Sequence, residues 1–329
     1  MSIIFVGTPA FAVPSLERLA GAGHDIAGVV TQPDRAAGRR RMPRSPPVKL
    51  AAQRLGLPVL QPPSLRDPEV LAGLRALSPE VIVVVAYGQI LRQEVLEIPA
   101  RGVLNVHPSL LPRWRGASPI PAAILAGEER TGVTIILMDA GMDSGPILSR
   151  TKVPINDADT SRSLLNTLSD LGAALLVDTL PRWLAGEIQP QPQDDSKATV
   201  CPLLRKEDGA IDWQLPAMEI WRRVRAYNPW PGAYSTLDGD LLHIWRAWPL
   251  DVESAAAAGM VFELGDEWLR ELPDHVRSEA AFAVQTGDGV LVPLDVQRAG
   301  RRALSAAEFL RGMPKLIGSR LGAPRRTNG

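Results

Sequence analysis

The sequence predicts an α/β fold, a Rossmann-like doubly wound and mostly parallel sheet, followed by a small OB-like β-barrel domain. Three observations carry that prediction. Over roughly the first 186 residues short apolar runs alternate with helical periodicities, the pattern of βαβ units. One run, Val81-Ile82-Val83-Val84-Val85, is an unbroken β-branched stretch of the kind a sheet covered on both faces requires. Beyond about residue 208 the pattern becomes short extended segments punctuated by Asp238-Gly239 and Asp288-Gly289, which are hairpin turn pairs.

The elements follow in order. Residues 2–6 form an apolar strand ending at Gly7, and 10–20 have helical spacing closed by Gly21-Ala22-Gly23. Gly7-Thr8-Pro9-Ala10 does not fit Gly-x-Gly-x-x-Gly, so this β-turn-α opening carries no dinucleotide fingerprint, which argues against a nicotinamide-dependent oxidoreductase. A strand at 26–31, helices at 48–55 and 67–77 and the strand at 80–86 come next. Residues 102–107 are a short strand, 119–126 a helix ended by Gly127, 133–138 a strand and 147–155 an extended segment. A long apolar-periodic helix runs from Asp159-Thr160 to about Leu184. Gln189-Pro-Gln-Pro-Gln-Asp-Asp is polar, proline-rich and aperiodic, the composition of a linker. The expected organisation is therefore a catalytic domain over 1–188, a linker over 189–207 and a barrel over 208–329. In the barrel the extended runs are 234–237, 241–248, 281–286 and 290–293, and the acidic stretch 263–279 looks like an insertion. Five of the eight tryptophans fall between Trp213 and Trp248, where a barrel core is the more economical place for them than a nucleotide-stacking surface.

At 329 residues the chain exceeds what one hydrophobic core usually serves. A single cysteine, Cys201, leaves no internal disulfide and points to a reducing compartment. With no signal-like terminus and no apolar run of membrane-spanning length, a cytoplasmic protein is expected. Net charge is zero, so the chain is not coated with basic residues. Its basic residues are nevertheless clustered. Six fall between Arg35 and Lys49 with no acid, and eight between Arg298 and Arg326 against Glu308 alone, which suits a split phosphate-binding surface.

Chemistry is concentrated in residues 102–119. Asn105 and His107 are two apart on a strand, so they share a face at its carboxyl end, where ligands bind in open α/β sheets. Pro108 ends the ladder, and Pro112 stiffens the Ser109-Leu110-Leu111-Pro112 ledge. A carboxamide beside an imidazole supplies a hydrogen-bond donor and a titratable acid/base, the minimum for attack on a carbonyl carbon. The four histidines show no metal-ligand spacing, and a calcium loop counted from Asp139 would place Arg150 where a bidentate Glu is needed, so no metal is expected.

Asn105-Val-His107-Pro-Ser109-Leu-Leu-Pro112, with Arg113-Trp-Arg-Gly116 and Asp139-Ala-Gly-Met-Asp143-Ser-Gly145, resembles the signature of the formyltetrahydrofolate-dependent formyltransferases. Thr31-Gln-Pro-Asp34 through Met42-Pro43, Ile211-Asp-Trp213 and Arg225-Ala-Tyr-Asn228-Pro-Trp-Pro-Gly232-Ala-Tyr234 are similar to the branch of that family whose acceptor is methionyl initiator tRNA. The resemblance runs from about Ile3 to about Gly312. It implies Asn105, His107 and Asp143 as catalytic residues: Asn105 and a protonated His107 would meet the oxyanion, and Asp143 would hold His107 protonated and relay a proton through water. It implies binding of the co-substrate 10-formyltetrahydrofolate by Ser109, Leu110, Leu111 and Pro112. It also implies an arginine loop, Arg39, Arg40 and Arg41, entering the tRNA acceptor stem, where planar guanidinium forks bind phosphates or guanine edges. The alternatives are the same chemistry on a small amine, such as a sugar nucleotide or glycinamide ribonucleotide, and a catalytically silent RNA-binding module.

Overall fold

The computed structural model describes residues 2–37 and 42–322, so Arg39, Arg40 and Arg41 lie outside the described residues. The chain divides into two compact units, Met1–Ile120 with Glu129–Ile155 and Ser163–Pro202, and Pro121–Glu128 with Asn156–Arg162 and Leu203–Gly329.

Within the first part of the chain lie β1 (Ser2–Gly7), α1 (Val13–Gly21), β2 (Asp25–Val30), β3 (Arg35–Ala37), β4 (Met42–Arg44), α2 (Pro47–Arg54), β5 (Val59–Leu60) and α3 (Pro68–Ala76). They are followed by β6 (Val81–Val85), α4 (Gln93–Leu96), β7 (Val103–His107), β8 (Arg115–Gly116), α5 (Pro119–Leu125), β9 (Arg130–Leu137), β10 (Ile147–Pro154), α6 (Ser161–Leu184) and β11 (Val200–Cys201). The main sheet has the order β10-β9-β7-β6-β1-β2-β5. β5, β2, β1, β6 and β7 run parallel, while β9 is antiparallel to both neighbours. The strand order reverses between β1 and β6, which makes this a doubly wound sheet with a crevice at the carboxyl ends of its strands. All five residues of β6 are buried, as helices on both faces require of a β-branched strand. The expected helix at 10–20 begins with a 3₁₀ turn, Ala10–Ala12, because Pro14 can occupy only the first turn of α1. β3 and β4 form a two-stranded hairpin apart from the main sheet, with Arg35 opposite Arg44 at its base.

The second unit contains α7 (Ala217–Ala226), β12 (Ala233–Leu237), β13 (Asp240–Leu250), β14 (Val261–Glu263), α8 (Asp266–Glu271), α9 (Asp274–Arg277), β15 (Phe282–Gln285), β16 (Val290–Arg298), β17 (Leu304–Ser305) and α10 (Ala306–Gly312). Its strands pair antiparallel in the order β12-β13-β16-β15-β14, with β17 beside β16. The two outer strands are bridged by residues 318–322. Thr236 of β12 exchanges both backbone hydrogen bonds with Gly322, Val261 of β14 takes part in bonds with Gly318 and Ser319, and Leu321 N donates to Gly259 O. The segment thus pairs the exposed edges that an open sheet would present. Ile220, Trp221 and Val224 of α7 enter the barrel core beside Ile244, Phe282 and Leu291, and Trp213 joins them, its indole N–H donating to Ser235 Oγ. The sequence pattern predicted no helix here. α7 carries Glu219, Arg222, Arg223 and Arg225 among its apolar residues, which leaves Ala217, Ile220, Trp221 and Val224 as its buried stripe. Arg225 is nonetheless buried, stacked over the Trp221 ring at 4.3 Å and donating to the Asn156 and Asp159 carbonyls. The acidic insertion forms α8 and α9, whose apolar sides build a second core: Trp268, Leu272 and Val276 pack with Leu250, Val290 and Val292.

The segment expected as a linker from residue 189 is instead fastened to the first unit as far as Pro202. Gln191 exchanges backbone hydrogen bonds with Ile147, and β11 pairs in parallel with β8. The alternating prolines prevent a helix without preventing an extended strap, so the same composition fits both situations.

Ending the chain at residue 317 should leave the backbone groups of Thr236, Gly259 and Val261 unpaired and lower the unfolding temperature of the second unit by several degrees, at about 1 kcal/mol per lost hydrogen bond. Differential scanning calorimetry checks this against a chain ended at residue 322, and identical transitions for the two would contradict barrel closure by this segment.

Candidate active site

Asn105 and His107 project from one face of β7, near its carboxyl end, and Asp143 approaches from the 139–145 loop joining β9 to β10. The Asp143 carboxylate joins the three. Oδ1 accepts from Asn105 Nδ2 at 3.2 Å, and Oδ2 accepts from the Gly116 backbone N–H at 2.9 Å and lies 3.5 Å from His107 Nδ1. His107 is 4% exposed and the Asp143 side chain 17%, so the pair sits largely out of water, where charge interactions are stronger. The other imidazole nitrogen, Nε2, is 2.9 Å from the Trp114 carbonyl oxygen. A carbonyl can only accept, so Nε2 carries a hydrogen and Nδ1, facing Asp143, is the nitrogen that protonates.

Two non-glycine residues of the site have left-handed backbone, Trp114 at φ 62° and Asp143 at φ 52°. Such a conformation costs on the order of 1–3 kcal/mol and persists only where neighbours enforce it. For Asp143 the loop is set by Asp139, whose Oδ1 accepts from Gly141 N and Ser144 Oγ, and by Gly145, where a Cβ would stand 1.9 Å from the Leu137 carbonyl oxygen. For Trp114 the neighbours are in the strap. Its N–H donates to Thr199 Oγ1 at 2.8 Å, and Arg115 N donates to Thr199 O. Gly116 has φ 108° and would place a Cβ 2.5 Å from Cys201 O, so only glycine keeps its N–H on Asp143.

The ledge is built from within. Ser109 and Leu111 are fully buried, Ser109 Oγ donates to Arg113 O, and Thr134 of β9 donates to Ser109 O while accepting from Leu111 N. Leu111 packs with Ile136 and Ile147, so the Ser109 and Leu111 side chains face the protein and a ligand would meet Leu110, Pro112 and backbone. A cavity of about 250 Å³ lies beyond the carboxyl ends of β5 and β6, lined by Ser64, Leu65, Arg66, Gln89, Ile90 and Arg92. At the base of the β3–β4 hairpin Asp34 is held down to about 2 by hydrogen bonds from Gln61, Lys49 and Ser45, and so remains a carboxylate at neutral pH. Cys201, whose thiol donates to Arg115 O, is pushed up by burial and by the nearby Asp143 carboxylate, which leaves it a poor nucleophile. Among the described residues no group of three or more His, Cys, Asp or Glu is placed to hold a metal ion, and no helix is long and apolar enough to cross a membrane.

Nothing in the sequence marks the Trp114 carbonyl, Gln193 or Thr199. The first is backbone, and the other two stand in a polar run that resembles any surface segment.

A doubly wound sheet bearing a carboxamide, an imidazole and a carboxylate on one carboxyl edge is the framework of an enzyme that transfers a group at a carbonyl carbon. Residues 1–180 match the Formyl transferase family, and residues 203–314 match the family Formyl transferase, C-terminal domain. Over 313 residues the chain is 52% identical to methionyl-tRNA formyltransferase of Chloroflexus aggregans, covering 95% of this chain and 97% of that one. It is 48% identical to methionyl-tRNA formyltransferase of Roseiflexus castenholzii, covering 98% and 99%. Among solved structures the fold is similar to an N-formyltransferase of Helicobacter canadensis (TM-score 0.63, 18% identity, 90% of this chain and 98% of that chain). It is also similar to HypX of Aquifex aeolicus in complex with tetrahydrofolic acid (TM-score 0.61, 19% identity, 96% and 48%). The chain belongs to the formyl transferase family.

Thr134→Val should cost about 1–3 kcal/mol for each of the two buried backbone groups it strands, Ser109 C=O and Leu111 N–H. The urea midpoint measures this, and a change below about 0.5 kcal/mol, the scale of an ordinary surface substitution, would show that Thr134 does not hold the ledge.

Proposed function

We propose that this chain transfers the formyl group of 10-formyltetrahydrofolate to the α-amino group of methionyl initiator tRNA, giving N-formylmethionyl-tRNA for translation initiation in the cytoplasm. The observation that carries this reading is the meeting of Asn105, His107 and Asp143 in a chain 48–52% identical, over nearly its whole length, to proteins named methionyl-tRNA formyltransferase.

The amine attacks the formyl carbon as its neutral form, an oxyanion develops, and the bond to N10 breaks as N10 gains a proton. Over the cycle the amine loses one proton and the departing nitrogen gains one. Asn105 uses one amide hydrogen on Asp143 and directs the other to the oxyanion. His107 has Nε2 engaged by Trp114, so its contribution is the proton on Nδ1 and the positive charge that proton brings beside the oxyanion. Asp143 stabilises that imidazolium and passes the amine's proton on through water. The Gly116 N–H, donating to Oδ2, holds the carboxylate in place for this task.

Leu110, Pro112 and the backbone of the 109–112 ledge receive the pterin end of the co-substrate, and Arg66 and Arg92 suit its carboxylates. Arg39, Arg40 and Arg41, which fall in sequence between β3 and β4, take the acceptor stem. That reading is supported by the β3–β4 pair standing apart from the main sheet, since a segment joined to it is not tied to the sheet's core.

Labelled formyl transfer to methionyl initiator tRNA tests the reading, with elongator methionyl-tRNA, a sugar amine and glycinamide ribonucleotide as competing acceptors. The initiator tRNA should be formylated in preference. His107→Ala should lower turnover by about two or more powers of ten. The triple alanine variant of Arg39, Arg40 and Arg41 should raise KM for the tRNA and flatten its salt dependence without altering use of the folate. Preference for a small amine, or near-normal turnover in His107→Ala, would overturn the proposal.

A further inference from the structure

We propose that the strap 191–202 is a positioning element of the catalytic centre, in which Gln193 and Thr199 hold Asp143 and Trp114 in their left-handed conformations and thereby set turnover. This rests on the reading of Asn105, His107 and Asp143 as the catalytic group.

Gln193 is the half-buried residue in an otherwise exposed run from 191 to 197. Its amide nitrogen donates to the Asp143 carbonyl at 2.8 Å and to the Gly145 carbonyl at 2.7 Å. Its amide oxygen accepts from Arg115 Nε at 3.1 Å and Nη2 at 2.8 Å, and the same guanidinium reaches Asp195 at 2.7 Å. The orientation of the amide is fixed by its partners. Reversed, it would set an oxygen against two carbonyls and an NH₂ against a guanidinium. One side chain therefore spans both halves of the site, the loop that carries Asp143 and the Arg115-Gly116 strand whose Gly116 N–H holds the Asp143 carboxylate.

Thr199 does the corresponding work at Trp114. Its hydroxyl accepts the Trp114 N–H while its backbone joins Pro112 O and Arg115 N. The carbonyl of the peptide that Trp114 contributes is the one that receives His107 Nε2. The backbone of each left-handed residue is thus hydrogen-bonded to a strap side chain, Asp143 accepting at its carbonyl and Trp114 donating from its N–H, and each presents a catalytic contact. A strap that merely tied down the chain would need neither bond, because the Gln191–Ile147 and β8–β11 pairings already do that.

The two halves of the Gln193 amide make the proposal separable from a tethering role. Gln193→Glu keeps an acceptor for Arg115 and loses both donors to the Asp143 and Gly145 carbonyls, whereas Thr199→Val loses the acceptor for Trp114 and Thr199→Ser keeps it. In formyl transfer to methionyl initiator tRNA by the full chain, Gln193→Glu and Thr199→Val should each lower kcat by about tenfold or more, with KM for both substrates within about twofold, since misplacement acts on the transition state rather than on binding. Thr199→Ser should retain nearly normal turnover, and the melting temperatures should remain close to that of the unaltered chain. Unaltered kcat in Gln193→Glu or Thr199→Val, a loss appearing only in KM, a loss that tracks unfolding, or failure of Thr199→Ser to rescue would each overturn the strap's role. If the unaltered chain forms no formylated product, it is the functional reading that fails. The strap is then judged by the ¹⁵N spectrum of the His107 imidazole, which should move in both impaired variants and which a mere tether would leave unmoved.

Discussion

The Asp143 carboxylate is the constraint on which the site depends. It is small, it stands on a left-handed residue between glycines, and it meets a carboxamide, a backbone amide and an imidazole at once. The partners come from two other pieces of chain: β7 supplies Asn105 and His107, and β8 after the ledge supplies Gly116. The carboxylate therefore registers the 139–145 loop, the central strand and the ledge against one another. Moving any one of them by the length of a hydrogen bond would disturb the other two, which is how a site carried partly on loops acquires the precision ordinarily given by strands and helices.

The sheet supplies the fixed part of this arrangement. β7 lies between β6 and β9, so its backbone is paired on both sides, and His107 stands directly opposite Thr134 of β9 in register. Thr134 in turn holds the ledge that follows His107. One strand pairing thus sets the imidazole and the loop that carries Trp114, whose carbonyl then fixes which imidazole nitrogen bears hydrogen. The strap supplies the remainder from the opposite end of the unit's sequence. Residues 191–202 follow the long helix α6, whose Trp183 donates to Arg101 O ahead of β7, and pair with the Arg115-Gly116 strand through β11.

The sequence displayed those parts of the molecule whose physics is local. Val81 to Val85 could only be a covered strand, and Asn105 and His107 shared a face because two residues separate them. Asp143 was marked by its glycine-rich setting and the motif around it. The contributions of Trp114 and Gln193 depend on a backbone carbonyl and on contacts across roughly 50 to 80 residues, which no spacing rule registers. Helix α7 escaped because its charged residues mask a stripe of three core side chains, and because the barrel around it is dominated by turn signals. The segment after Gln189 was misplaced for a related reason. Its prolines exclude a helix, and what then holds it is a strand pairing supplied by residues more than 70 positions earlier. Ser109 and Leu111 were expected, with Leu110 and Pro112, as co-substrate-binding residues through backbone and apolar side chains, and the burial of their two side chains leaves backbone as what these two positions can offer.

The Trp114 carbonyl holds neutral His107 with its hydrogen on Nε2 and so leaves Nδ1 as the nitrogen without one, facing Asp143. The ¹⁵N chemical shifts of the His107 imidazole, recorded on the full chain labelled at histidine and assigned with His107→Gln, measure this directly. In the neutral ring Nε2 should resonate as a protonated nitrogen and Nδ1 as an unprotonated one. Hydrogen on Nδ1 in the neutral ring, or an even mixture of the two tautomers, would contradict it.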